Sequence, residues 1–76
     1  MTNENTKTLS VENIGGNLLR LRKEHKLSRE KFAELIDVSS RIVYDYEDGF
    51  KTPSLDTLVR IANLYGVTLD DILRSA

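Results

Sequence analysis

Between Arg20 and Lys31 the chain carries six cations, Arg20, Arg22, Lys23, Lys26, Arg29 and Lys31, against two acids, Glu24 and Glu30. A local charge of +4 draws phosphates, although a solvated helix face has the same look in sequence. Other reactive residue types are sparse. His25 is the only histidine and there is no cysteine, which excludes thiol catalysis, disulfides, iron–sulfur clusters and zinc thiolates. One histidine cannot assemble a multi-histidine metal site. Ser39-Ser40 with His25 is not a nucleophile–base pair. Helix capping accounts for the serines, and a histidine at a helix C-terminus is favoured by the dipole or simply solvated. No glycine-rich phosphate loop and no pair of carboxylates in a plausible cleft is present, so the expectation is a protein that is not an enzyme and that uses no metal or cofactor.

The chain is 76 residues long, 8.7 kDa, with 39% hydrophobic and 30% charged residues. That is a globular balance with room for one domain. A domain this small buries only about 60% of the surface its unfolded chain exposes, so chemistry on the surface is expected rather than an enclosed cavity. The net charge is −1 and the pI about 5.7, which on composition alone argues against a nucleic-acid partner. The distribution argues the other way, because Glu4, Glu12, Asp56, Asp70 and Asp71 lie outside the basic stretch. No apolar run approaches the roughly 18–20 residues of a membrane span. The opening MTNENTKTLS has no signal-peptide core, so a cytoplasmic protein without membrane contact is expected.

Helical periodicity must position these residues. Residues 1–10 read as a disordered tail and 11–76 as the domain, with structure beginning near Ser10 or Asn13. Ile14, Leu18 and Leu21 form the stripe of a first helix that stops at Glu24-His25-Lys26. Gly15 and Gly16 count there as a propensity cost. Ser28 caps a second helix, Arg29 to Ile36, with Phe32, Ala33 and Ile36 inward. Ser39 caps a third, Ser40 to Glu47, with Val43 and Tyr46 inward, ended by Asp48-Gly49. Thr52-Pro53-Ser54 opens a fourth, Leu55 to Tyr65, whose stripe is Leu55, Leu58, Ile61, Ala62 and Tyr65. Gly66 ends it. Thr68-Leu69-Asp70-Asp71 resembles a capping box before a short fifth helix, Leu69 to Leu73. The link between the second and third helices is too tight for anything but a steep crossing, the local signature of a helix-turn-helix at about residues 28–47.

At Leu21-Arg22, Ser28, Ala33, Val38-Ser39, Glu47-Asp48-Gly49 and Pro53-Ser54 the chain resembles the Cro/C1-type (XRE) helix-turn-helix domains of phage repressors and bacterial regulators. The resemblance covers about 60 residues and implies an all-α, five-helix, lambda-repressor-like fold. It implies that Arg22 and Glu47 form an ion pair tying the first helix to the end of the third, with guanidinium N–H groups left for the DNA backbone. It also implies that the third helix enters the major groove of an operator, with Ser40, Arg41, Tyr44 and Asp45 reading bases. Arg41 is the foremost of these, because an arginine fork fits guanine. Backbone contacts are expected from Arg22, Lys23, Ser28, Arg29, Ser39 and Lys51.

The chain departs from the family in ways that bear on affinity. Arg29 stands where a glutamine usually follows the cap and braces the third helix; an arginine reaches a phosphate but is not expected to brace in the same way. Asp45 and Asp48 place negative charge on the reading side. Lys26 and Asp37 occupy turn positions often held by glycine. Leu19, Leu35 and Phe50 are apolar at positions expected to face outward. One short helix reads too few base pairs for useful specificity, so a homodimer on a two-fold operator is expected, with Tyr65, Val67, Leu69, Ile72 and Leu73 as its surface. A regulatory protein partner fits the absence of an effector domain. A second reading, a protein-interaction module of the antitoxin or antirepressor kind on the same fold, stays open on these residues.

Overall fold

The computed structural model describes residues 8–75. A 3₁₀ turn, Val11–Asn13, runs directly into α1, Ile14–Glu24. Then follow α2, Arg29–Ile36; α3, Ser40–Glu47; α4, Leu55–Tyr65; and α5, Leu69–Leu73. There is no strand among the described residues, and the arrangement is the all-α, five-helix one expected from the resemblance. Local chemistry sets the boundaries. Ser28, Ser39, Ser54 and Thr68 each accept a hydrogen bond from a first-turn backbone N–H, and Thr68 with Asp71 completes a capping box. Gly66 ends α4 in the left-handed conformation, and Gly49, just past α3, shares it.

The core is built from the expected stripes. Ile14, Leu18 and Leu21 of α1 meet Phe32, Ala33 and Ile36 of α2, Val43 and Tyr46 of α3, Leu58, Ile61, Ala62 and Tyr65 of α4, and Ile72 of α5. Leu55 departs from its stripe. It is the first residue of α4 and 67% exposed, because burial along the helix begins only at its third residue, Thr57. Lys26 and Asp37 both have positive φ, at 56° and 62°, so a lysine and an aspartate make the left-handed turns that flank α2.

Gly15 has a role that periodicity does not reveal. A Cβ there would lie 2.7 Å from the Glu47 carbonyl oxygen and 2.8 Å from that of Tyr46. Only glycine lets α1 approach the last turn of α3 this closely. Gly16 has open space around its Cα.

Of the expected tail, residues 1–7 lie outside the described residues. Leu9 forms an antiparallel bridge with Arg74, and Ser10 N donates to the Leu73 carbonyl at 2.9 Å. Two asparagines one turn apart complete this clasp. Asn13 Nδ2 donates to Leu73 O at 2.9 Å, and Asn17 Nδ2 donates to Ile72 O at 2.7 Å and Arg74 O at 2.8 Å. They satisfy the free carbonyls at the end of α5, a helix too short to be stable alone.

Candidate nucleic-acid interface

The turn between α2 and α3 is Asp37-Val38-Ser39. Asp37 N bonds Glu34 O and Val38 N bonds Ala33 O, which closes the end of α2. Ser39 then accepts from Ile42 N at 3.2 Å and starts α3. The result presents one face of α3 to solvent, with Ser40, Arg41 and Tyr44 exposed.

A buried carboxylate locks α3 to the rest of the domain. Glu47 receives Arg22 Nε at 2.6 Å and Arg22 Nη2 at 3.1 Å, while Arg22 Nη1 donates to Leu27 O at 2.9 Å. The bond to Glu47 raises the Arg22 pKa above its ordinary value, against the effect of burial. Arg22 is therefore turned inward. Three of its five N–H donors are committed and its side chain is only 9% exposed, so at most two donors remain for the backbone role expected of it.

Arg29 adds to this lock in its own way. Its Nε donates to Glu47 Oε1 at 3.1 Å, and its guanidinium carbon lies 5.4 Å from the Tyr44 ring centroid. It does brace α3, through the acid and the ring instead of an amide. Half of its side chain still faces solvent.

Asp45 was expected to reach base edges and is instead 6% exposed. The loop after α3 folds back across it. Phe50 N and Lys51 N bond its main-chain oxygen at 2.8 and 3.2 Å, bringing Lys51 Nζ to 3.9 Å from Oδ2. Arg41 Nε lies 3.3 Å from Oδ1. Asp48 is exposed beside Tyr44, where its carboxylate holds the phenol above its usual pKa. Tyr44 thus stands between two guanidinium groups, since Arg41 also lies 5.4 Å from its ring centroid.

The basic stretch sorts itself accordingly. Arg20 pairs with Glu24 at 3.2 Å and Lys31 with Glu34 at 3.0 Å, both on the surface. Lys23, Ser28 and Ser39 are exposed, Arg29 flanks α3 on the α2 side, and Lys51 flanks it on the loop side. His25 caps α1, with Nδ1 2.8 Å from Leu21 O and its ring 4.4 Å from that of Tyr65.

The expected dimer surface is only partly available. Ile72 is fully buried, and Tyr65 is stacked on Phe32 within the core. Both fill the protomer's own interior. Val67, Leu69 and Leu73 are half-buried around them. Leu19 is half-buried as well, whereas Leu35 and Phe50 are exposed. No helix among the described residues is long and apolar enough to cross a membrane.

Comparison with known proteins places this geometry. The helix-turn-helix family profile matches residues 18–72. An uncharacterized HTH-type transcriptional regulator of Bacillus subtilis, YobD, is 46% identical over 56 residues, covering 74% of this chain and 50% of that protein. The chain spans about half the length of the curated relatives it matches. A transcriptional regulator from Listeria innocua superposes with a TM-score of 0.76 at 35% identity, covering 79% of this chain and 56% of the other. The P22 c2 repressor, solved with a synthetic operator, shares the fold at a TM-score of 0.75 and 18% identity, over 87% of this chain and 96% of that one.

Proposed function

This chain belongs to the helix-turn-helix family, and from that membership we propose that it is a sequence-specific, double-stranded DNA-binding transcriptional regulator, acting as a repressor in the cytoplasm. The observation that carries the reading is the exposed face of α3, with Arg41 near its N-terminus and Arg29 and Lys51 on its two sides. A helix of this diameter fits the major groove, its first residues at base edges and flanking cations at phosphates. Ser40, Arg41 and Tyr44 read bases. Lys23, Ser28, Arg29, Ser39 and Lys51 hold the backbone. These exposed cations disfavour a module that binds only protein.

Eight residues of helix cover too few base pairs for useful discrimination. Two protomers therefore act together on a two-fold operator, with half-sites about 34 Å apart. Their contact uses Val67, Leu69 and Leu73, with Tyr65 and Ile72 as the packed support behind them. Selection of binding sites from random duplex DNA tests the proposal. It should return one motif with two-fold symmetry and half-sites about one helical turn apart. Recovery of no motif would reject the function, and recovery of a single unrepeated half-site would reject the dimer.

A further inference from the structure

Arg41 and Asp45 lie one turn apart on α3 and differ sharply in exposure: the arginine side chain is 77% exposed and the aspartate's 9%. Asp45 cannot reach out to a base from where it sits. It can hold what does. Its Oδ1 lies 3.3 Å from Arg41 Nε, an ion-pair contact, its Oδ2 lies 3.9 Å from Lys51 Nζ, and the Arg41 guanidinium carbon sits over the Tyr44 ring. Among the described residues Arg41 makes no hydrogen bond, and only its Nε has an acid beside it, which leaves Nη1 and Nη2 open. That open edge is the pair of parallel donors that matches guanine O6 and N7.

We propose that Asp45 is a specificity-determining positioning residue, holding Arg41 by Nε so that its Nη1/Nη2 edge is presented to a guanine in the major groove. The proposal rests on the reading of α3 as the groove helix. A free arginine must give up rotamer freedom when it reads a base; one already held gives up less. The arrangement also accounts for an acid so near phosphates. Each carboxylate oxygen faces a cation, so its repulsion of DNA is largely offset.

The test measures base-preference profiles by random-duplex selection, followed by titration of the best site and its single-base variants. The proteins are the unaltered chain, Arg41→Ala, Asp45→Asn and the double variant, each with a thermal melt. The unaltered chain should prefer guanine at one position of each half-site. Arg41→Ala should lose roughly 5- to 150-fold of that discrimination. Asp45→Asn should lose most of it at the same position, keep preferences elsewhere, and bind nonspecific duplex more tightly. The double variant should be no less selective than Arg41→Ala. A folded Asp45→Asn that keeps the guanine preference overturns the proposal, as does one that changes preference at a different position, which would mean that the carboxylate reads a base itself. Should Asp45→Asn fail to fold, the Arg41 Nε–H resonance of the unaltered protein decides. A protected, shifted signal supports the proposal, and a random-coil signal overturns it. If the unaltered chain selects no site, the regulator reading falls, and this proposal with it. If it selects a site and only the Asp45 effect is missing, the proposal falls alone.

Discussion

At the scale of the residue, two side chains sit where their own chemistry is unfavourable. Lys26 adopts φ 56°, a conformation that crowds its Cβ against the backbone. Its side chain is exposed and pairs with no acid among the described residues. Lys26→Gly should therefore raise stability by about 1 kcal/mol, the relief of that crowding less the added chain entropy of glycine. Urea denaturation measures it, and a lower midpoint at equal slope would contradict the assignment. Tyr65 is the second case. Its hydroxyl is buried without a hydrogen-bond partner among the described residues, and burial pushes its pKa from 10.0 up to about 12. The fold thus favours the neutral phenol. Its contribution is whole below pH 10 and is lost as the pH rises from 10 through about 12. Tyr65→Phe should flatten that alkaline decline and, by removing an unpaired polar atom, hold or raise neutral-pH stability by about 1 kcal/mol. A variant clearly less stable at neutral pH would show that the hydroxyl is bonded.

At the scale of the element, what was legible in the sequence was what is local. α2 to α5 begin and end where Ser28, Ser39, Ser54, Thr68 and Gly66 dictate, because a cap is settled within three or four residues of itself. The inward stripes followed from periodicity for the same reason, apart from Leu55 at a helix entrance. The illegible features depend on distant parts of the chain. The Asn13–Asn17 clasp needs α5 to arrive against α1. Asp45 is covered only because the Gly49–Lys51 loop turns back, and Arg29 braces α3 only because Glu47 and Tyr44 are both in reach. The two glycines of α1 make this testable. Gly16→Ala should stabilise by about 0.5–1 kcal/mol through helix propensity. Gly15→Ala should cost about 1–3 kcal/mol, because its Cβ would strike two carbonyl oxygens of α3 that cannot move without shifting the helix. Thermal melts that rank the two variants in the opposite order would mean that α1 and α3 do not approach as described.

At the scale of the whole molecule, an acidic chain is proposed to bind a polyanion, which requires an uneven distribution of charge. Internal pairing with Glu47, Glu24 and Glu34 neutralises much of the basic stretch, and of the proposed backbone contacts Lys23, Arg29 and Lys51 keep exposed charge, the last two beside the proposed groove helix. That small number makes a quantitative claim. Three phosphate contacts per protomer, doubled in a two-fold complex, correspond to a slope of about −5 in a plot of log binding constant against log salt concentration. Titration of the chain against a duplex carrying its selected site, over a series of potassium chloride concentrations, measures that slope. A value near −5 is predicted, falling by about 2 on replacement of Lys51 by alanine in both protomers. Binding that does not change with salt, or no binding to any duplex at the lowest salt, would contradict the central claim that this fold reads DNA.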